Sequence, residues 1–209
     1  MPVPSSAPLK ITAIAFDLGN VLVRVDHLRF CRRLAALAGL SPQEVYAQVF
    51  ASSLEPGYDT GRITSREFYE RVTAHFGVPL PYSRFSDFWC DIFDPMDAMA
   101  EVVQRLASRF PLFLISNTNA LHFAYVQERF GAVLQPFRAF ILSYQVGSRK
   151  PDPAIYQALI RQVQRPPEEI LFLDDKETFV DAARGQGLAA WQFRSPQELR
   201  QELERHRLW

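Results

Sequence analysis

Four apolar runs of strand length, each followed by a polar or charged stop, constrain this 209-residue chain more than any other feature. The first, Ile11-Thr12-Ala13-Ile14-Ala15-Phe16, drives into Asp17 and breaks at Gly19-Asn20. Pro111-Leu112-Phe113-Leu114-Ile115 stops at Ser116-Asn117, and Ala139-Phe140-Ile141-Leu142 leads to a loop carrying Lys150. Ile170-Leu171-Phe172-Leu173 stops at Asp174-Asp175. Runs this short, rich in β-branched and aromatic residues, suit strands buried on both faces of a parallel sheet. Helical periodicity fills the intervals, so the alternation predicts an α/β fold: a doubly wound, mostly parallel sheet. Ligand sites in such sheets lie beyond the carboxyl ends of the strands. The residues that stop the runs are therefore the candidate site.

The interval after the first run is long and helical. From Asp26, Leu28, Cys31, Leu34, Ala35 and Ala38 fall on one helix face, with Gly39 as its C-cap. Ser41-Pro42-Gln43-Glu44 has the cap, first-turn proline and acidic residue of a second helix start. Glu55-Pro56-Gly57 reads as a break, and Tyr58 to Ile63 as a turn-rich loop reaching over the site, with Arg62 a candidate contact for phosphate or sugar. Thr64-Ser65-Arg66-Glu67 opens another helix with a capping box. Phe85, Phe88, Trp89 and Phe93 make an aromatic stripe expected to be core. The expected division is a disordered tail over 1–9, a core domain over 10–23 and 94–209, and a helical cap domain over 24–93 inserted after the first strand.

Composition narrows the class. The 23 basic and 23 acidic residues balance, which argues against an electrostatic nucleic-acid partner. Cys31 and Cys90 are far apart, and the four histidines show no metal-ligand spacing. No apolar run approaches membrane-spanning length and no signal-peptide core is evident, so the expectation is a soluble cytoplasmic protein with no membrane partner. Oligomeric state is not legible.

The strand-end residues form a set. Asp17 and Ser116-Asn117 at the ends of the first two strands, Lys150 on the loop after the third, and the Asp174-Asp175 pair after the fourth offer a nucleophilic carboxylate, hydroxyl and amide donors, one cation and paired carboxylates. Singly, Asp17 can cap a turn, Ser116-Asn117 can cap a helix and Lys150 can sit on the surface. Their succession at predicted strand ends points instead to phosphoryl transfer assisted by Mg²⁺, which binds through a few carboxylates, waters and phosphate oxygens.

In these motifs, over residues 10 to 195, the chain resembles the haloacid dehalogenase (HAD) superfamily. The motifs are Phe16-Asp17-Leu18-Gly19-Asn20-Val21-Leu22, Leu114-Ile115-Ser116-Asn117, Lys150-Pro151-Asp152-Pro153-Ala154-Ile155-Tyr156 and Leu173-Asp174-Asp175. The resemblance implies a hydrolase acting through an aspartyl-phosphate on a small phosphorylated metabolite of the sugar-phosphate kind. It makes Asp17 the nucleophile and a Mg²⁺ ligand, with the Gly19 carbonyl and Asp175 as further ligands and Asp174 ligating directly or through water. Ser116 and Asn117 would hold the phosphoryl oxygens, and Lys150 would offset charge between phosphate and nucleophile. Most phosphatases of the family have a second Asp where this chain has Gly19, to protonate the leaving group. The Asp-Leu-Gly-Asn form resembles the subgroup containing bacterial α-D-glucose-1-phosphate phosphatase, which hydrolyses without it; an anomeric phosphate needs less protonation. Phe179 stands where relatives often have Asn. Two other readings remain open: a metal-independent L-2-haloacid dehalogenase, which also lacks the second aspartate, and a non-catalytic binding module.

Overall fold

A computed structural model describes residues 10–209; the expected tail over 1–9 lies outside the described residues, apart from which every predicted strand is present. The main sheet comprises β1 (Ala13–Phe16), β4 (Leu112–Ser116), β5 (Phe137–Leu142), β6 (Ile170–Asp174) and β7 (Ala189–Gln192), all parallel in the order β5-β4-β1-β6-β7. The central strand is β1, flanked by β4 and β6, and its four residues are fully buried. The sequence explains this: Ile14 and Phe16 feed one apolar layer, while Ala13 and Ala15 feed the other. That is the two-residue alternation of a strand covered on both sides.

The helices supply the two layers. Helices α6 (Asp97–Ala107), α7 (Ala120–Leu134) and α11 (Pro196–Arg205) contribute Met99, Val126 and Leu203 to the Ile14 face. Helices α9 (Pro153–Val163) and α10 (Glu177–Gly185) contribute Ile155, Tyr156 and Val180 to the Ala13 face. Between β5 and α9 lies a one-turn helix, α8 (Ser143–Val146), which the sequence did not announce.

The inserted helices leave and return through a narrow stem. Strands β2 (Val23–Val25) and β3 (Phe93–Pro95) pair antiparallel, with Arg24 opposite Asp94. From this ribbon extend α1 (His27–Ala38), α2 (Pro42–Val49), α3 (Leu54–Asp59), α4 (Ser65–Phe76) and α5 (Tyr82–Cys90). Local chemistry sets their ends. Asp26 caps α1 and Gly39 closes it, while capping boxes at Ser41/Glu44 and Thr64/Glu67 start α2 and α4. Trp89 is fully buried, stacked on His122 at 4.5 Å between ring centroids and packed on Phe30 at 4.9 Å.

Three sequence expectations change here. Glu55-Pro56-Gly57 is not a break but lies within α3, because Pro56 occupies the first helical turn, where no backbone donor is needed. On α1 it is Phe30 that is buried, while Leu28 is 38% exposed. Phe93 belongs to β3 rather than the α5 stripe, since α5 ends at Cys90 with its C-cap Asp91 leaving helical geometry.

One turn fixes where α3 sits. Gly61 has φ +68°, and a Cβ there would lie 2.3 Å from the backbone carbonyl oxygen of Tyr144 on α8. Only glycine permits this approach. It seats the end of α3 against α8, which directly follows β5.

Candidate active site

The carboxyl ends of β1, β4 and β6 and the loop after α8 converge on one buried cation. Lys150 is 1% exposed, with Nζ 2.7 Å from Asp17 Oδ1 and 2.5 Å from Asp174 Oδ2, and it donates to the Ile115 carbonyl at 3.2 Å. Each partner is anchored by backbone. The Asp17 N–H donates to the Leu173 carbonyl at 2.8 Å, extending the β1–β6 ladder one residue. Asp174 Oδ1 accepts from the Lys176 N–H at 2.9 Å. Asn117 grips Lys150 itself: Oδ1 accepts from the Lys150 N–H at 2.7 Å and Nδ2 donates to its carbonyl at 2.9 Å.

Asp17, Asp174 and Asp175 bring carboxylate oxygens within 4.8 Å of one another. Burial, opposed by Lys150, pushes the Asp17 carboxyl up to about 7. Burial and then Asp174 raise Asp175 as well. Burial works against the Lys150 ammonium, but Asp17 and Asp174 outweigh it and hold its pKa above the ordinary lysine value. One ammonium cannot offset three carboxyl groups in so dry a place. Excess negative charge on hard oxygen donors is what a small divalent cation requires. The adjacent turn adds Gly19 beside Asn20, whose backbone is left-handed (φ 57°) and whose amide bridges the Val25 N–H and Asp175.

All seven sequence-predicted site residues except Asp174, which lies beneath the floor, line one cleft of about 410 Å³. Asp17, Gly19, Ser116, Asn117, Lys150 and Asp175 make its floor, and Phe179 borders it. Phe179 and Phe172 place rings 5.2 and 5.4 Å from Lys150 Nζ, which keeps the ammonium dry.

The opposite wall was foreseen only in part: of the stretch Tyr58 to Ile63 expected to reach over the site, Asp59 lines the cleft. This wall contains His27, Tyr46, Phe50, Glu55, Asp59 and Arg149. Arg62, the expected contact, is exposed and is not among the lining residues, because the Gly61 turn carries the chain away; Arg149 supplies the guanidinium instead. Its Nη1 lies 3.9 Å from Glu55 Oε2 and 4.0 Å from Asp59 Oδ2. Asp59 Oδ1 also accepts from Asn119 Nδ2 at 3.1 Å. Burial pushes Asp59 up to about 6, and burial followed by Asp59 pushes Glu55 up to about 8. Burial lowers His122 to about 3, so it is neutral: Nε2–H donates to the Trp89 carbonyl at 2.9 Å, and Nδ1 accepts from Asn119.

No helix among the described residues is long and apolar enough to cross a membrane. Residues 11–187 match the family of haloacid dehalogenase-like hydrolases. The chain is 24% identical, over 199 residues, to D-ribitol-5-phosphate phosphatase of Bacteroides thetaiotaomicron, covering 92% of this chain and 97% of that one. A solved HAD family enzyme of the same organism superposes with a TM-score of 0.82 at 23% identity, over 88% of this chain and 94% of the other. A structure of that enzyme complexed with magnesium and inorganic phosphate gives a TM-score of 0.78 at 21% identity, over the same shares. These structural likenesses speak to the fold.

Proposed function

From the premise that this chain belongs to the haloacid dehalogenase-like hydrolases, we propose that it is a Mg²⁺-dependent phosphomonoesterase working through a phosphoryl group carried on Asp17. The observation that carries this reading is the convergence of Asp17, Asp174 and Asp175 around a single buried lysine. A halide displacement by Asp17 has no use for two further carboxyl groups; a phosphoryl transfer, which gathers negative charge, needs cations among them.

In this mechanism the residues divide the work. Asp17 attacks phosphorus, and Lys150 holds the attacking carboxylate in place and offsets the charge of the phosphoryl group. Ser116 and the backbone at Asn117 hold phosphoryl oxygens, since the Asn117 side chain is committed to Lys150. Asp17, Asp175 and the Gly19 carbonyl would hold Mg²⁺, with Asp174 ligating directly or through water. The carboxyl groups present fit that ion, which supplies electrostatic stabilisation of the transferring group when bound. Water then releases phosphate from Asp17.

The substrate we infer is a small phosphorylated polyhydroxy compound, a sugar or polyol phosphate. The cleft admits one small metabolite, and its far wall offers Asp59 and Arg149 for hydroxyl groups beside the rings of Tyr46 and Phe50. The named activity of the Bacteroides relative, on a pentitol phosphate, is of this class.

The test is an aryl phosphate assay paired with an assay for halide release from an L-2-haloacid. The expected outcome is phosphate release abolished by EDTA, restored by Mg²⁺, and no halide. Halide release that persists in chelator would establish the dehalogenase reading, and silence in both assays across a panel of phosphorylated metabolites the non-catalytic one.

A further inference from the structure

We propose that Glu55, on the wall facing Asp17, is the general acid that protonates the leaving group and the base that later activates water. This rests on the phosphatase reading above. The chemistry sets the need. When Asp17 displaces an alkoxide, the departing oxygen gains an electron pair and must gain a proton, and neither Gly19 nor the groups engaged with Lys150 carry one to give.

Among the carboxyl, imidazole and guanidinium groups of the cleft, which Tyr46 and Lys176 also line, elimination leaves one donor. Asp17, Asp174 and Asp175 belong to the nucleophile and cation floor. Burial, then Lys176, lowers His27 to about 4, so it holds no spare proton near neutrality. Arginine does not give up its proton, which removes Arg149. Glu55 and Asp59 remain, sharing the one guanidinium of Arg149. Among the described residues Arg149 is the only cation within 4.0 Å of either, and the weaker pull of Lys176 does not make up the difference, so one of the two buried carboxylates keeps a proton. Asp59 accepts a hydrogen bond from buried Asn119, which favours its charged form, whereas among the described residues nothing donates to Glu55. The proton therefore resides on Glu55, consistent with its elevated pKa near 8, set by burial and Asp59 against the pull of Arg149 and Lys176. Its side chain is 14% exposed and borders the same cleft as Asp17 and Gly19.

The steps balance. The Asp17 oxygen bonds to phosphorus as the phosphorus–ester oxygen bond breaks, and that oxygen takes the Glu55 proton, leaving as the alcohol. In the second half, water bonds to phosphorus and yields a proton to Glu55, while the bond to Asp17 breaks and returns its electron pair to the carboxylate. Inorganic phosphate departs and Glu55 is again protonated.

Rapid-quench measurement of the first step in the Mg²⁺-loaded protein tests this, using a pentitol 5-phosphate and 4-nitrophenyl phosphate. Glu55→Gln keeps the shape and removes the proton. The alkyl-to-aryl ratio of first-step rates should fall about 10²-fold, within the range general acids contribute, and the loss of alkyl activity above pH 8 expected of the unaltered protein should be absent from the variant. Rates that fall equally for both esters, or a rise in KM with the ratio unchanged, would overturn the role of Glu55 while leaving the phosphatase reading intact. If Glu55→Gln shows no burst with either ester, Glu55→Asp decides: an alkyl burst supports the role, its absence overturns it. An unaltered protein that hydrolyses neither ester removes both proposals.

Discussion

The side chain of Asn117 holds the backbone of Lys150 from both sides, accepting from its N–H at 2.7 Å and donating to its carbonyl at 2.9 Å. A motif on one strand end thereby sets the position of the cation from another segment. Asn117→Ala should lose about 1 kcal/mol per hydrogen bond, or about 2 kcal/mol in all. With Lys150 less constrained beneath Asp17, kcat should fall at least about tenfold while KM changes little, because misplacing a catalytic group by even a small distance is costly. Steady-state kinetics with thermal unfolding check this; a variant with unaltered kcat would show that Lys150 is held without Asn117.

Gly61 couples the turn after α3 to the carbonyl of Tyr144. Gly61→Ala must accommodate φ +68° and a Cβ 2.3 Å from that oxygen. The left-handed backbone alone costs about 1–2 kcal/mol for a residue with a side chain, and the overlap adds to it. We expect a loss of at least about 2 kcal/mol in urea unfolding, with a raised KM as α3 and its Glu55 and Asp59 shift. Unchanged stability would mean that the turn yields freely.

Stability should depend on pH through Glu55. Its carboxyl titrates at about 8 in the folded protein against an ordinary value of 4.5. Because the folded value is the higher, the stabilisation is fully present below about 4.5 and is lost as pH rises through 8. Glutamine does not titrate, so the stability of Glu55→Gln relative to the unaltered protein should grow across that window, by at most about 1.4 kcal/mol per pH unit. Urea midpoints for the two proteins at pH 5, 6, 7 and 8 measure it; parallel pH profiles would contradict it.

The sheet was legible in the sequence because its strands are buried on both faces, so apolar runs stand out and their polar stops mark the strand ends. The far wall of the cleft was legible only in the stretch holding Asp59. Glu55 and Asp59 are one helical turn apart on α3, but Pro56-Gly57 between them reads as a break unless the proline is placed in the first turn. Their association with Arg149 is tertiary, produced by the close approach of Gly61 to Tyr144, and no local pattern records it. Arg62 shows the reverse error: a residue of suitable chemistry in the right segment, turned outward by the glycine before it.

The most direct measurement is peptide mass spectrometry of the Mg²⁺-loaded protein quenched in acid during turnover of a phosphate ester. The expected result is one phosphoryl group on the peptide containing Asp17, absent when EDTA precedes substrate and absent in Asp17→Asn. Ester consumed by the unaltered protein with no phosphoryl group on Asp17 at any quench time, or turnover retained in Asp17→Asn, would contradict the assignment of Asp17 as the nucleophile.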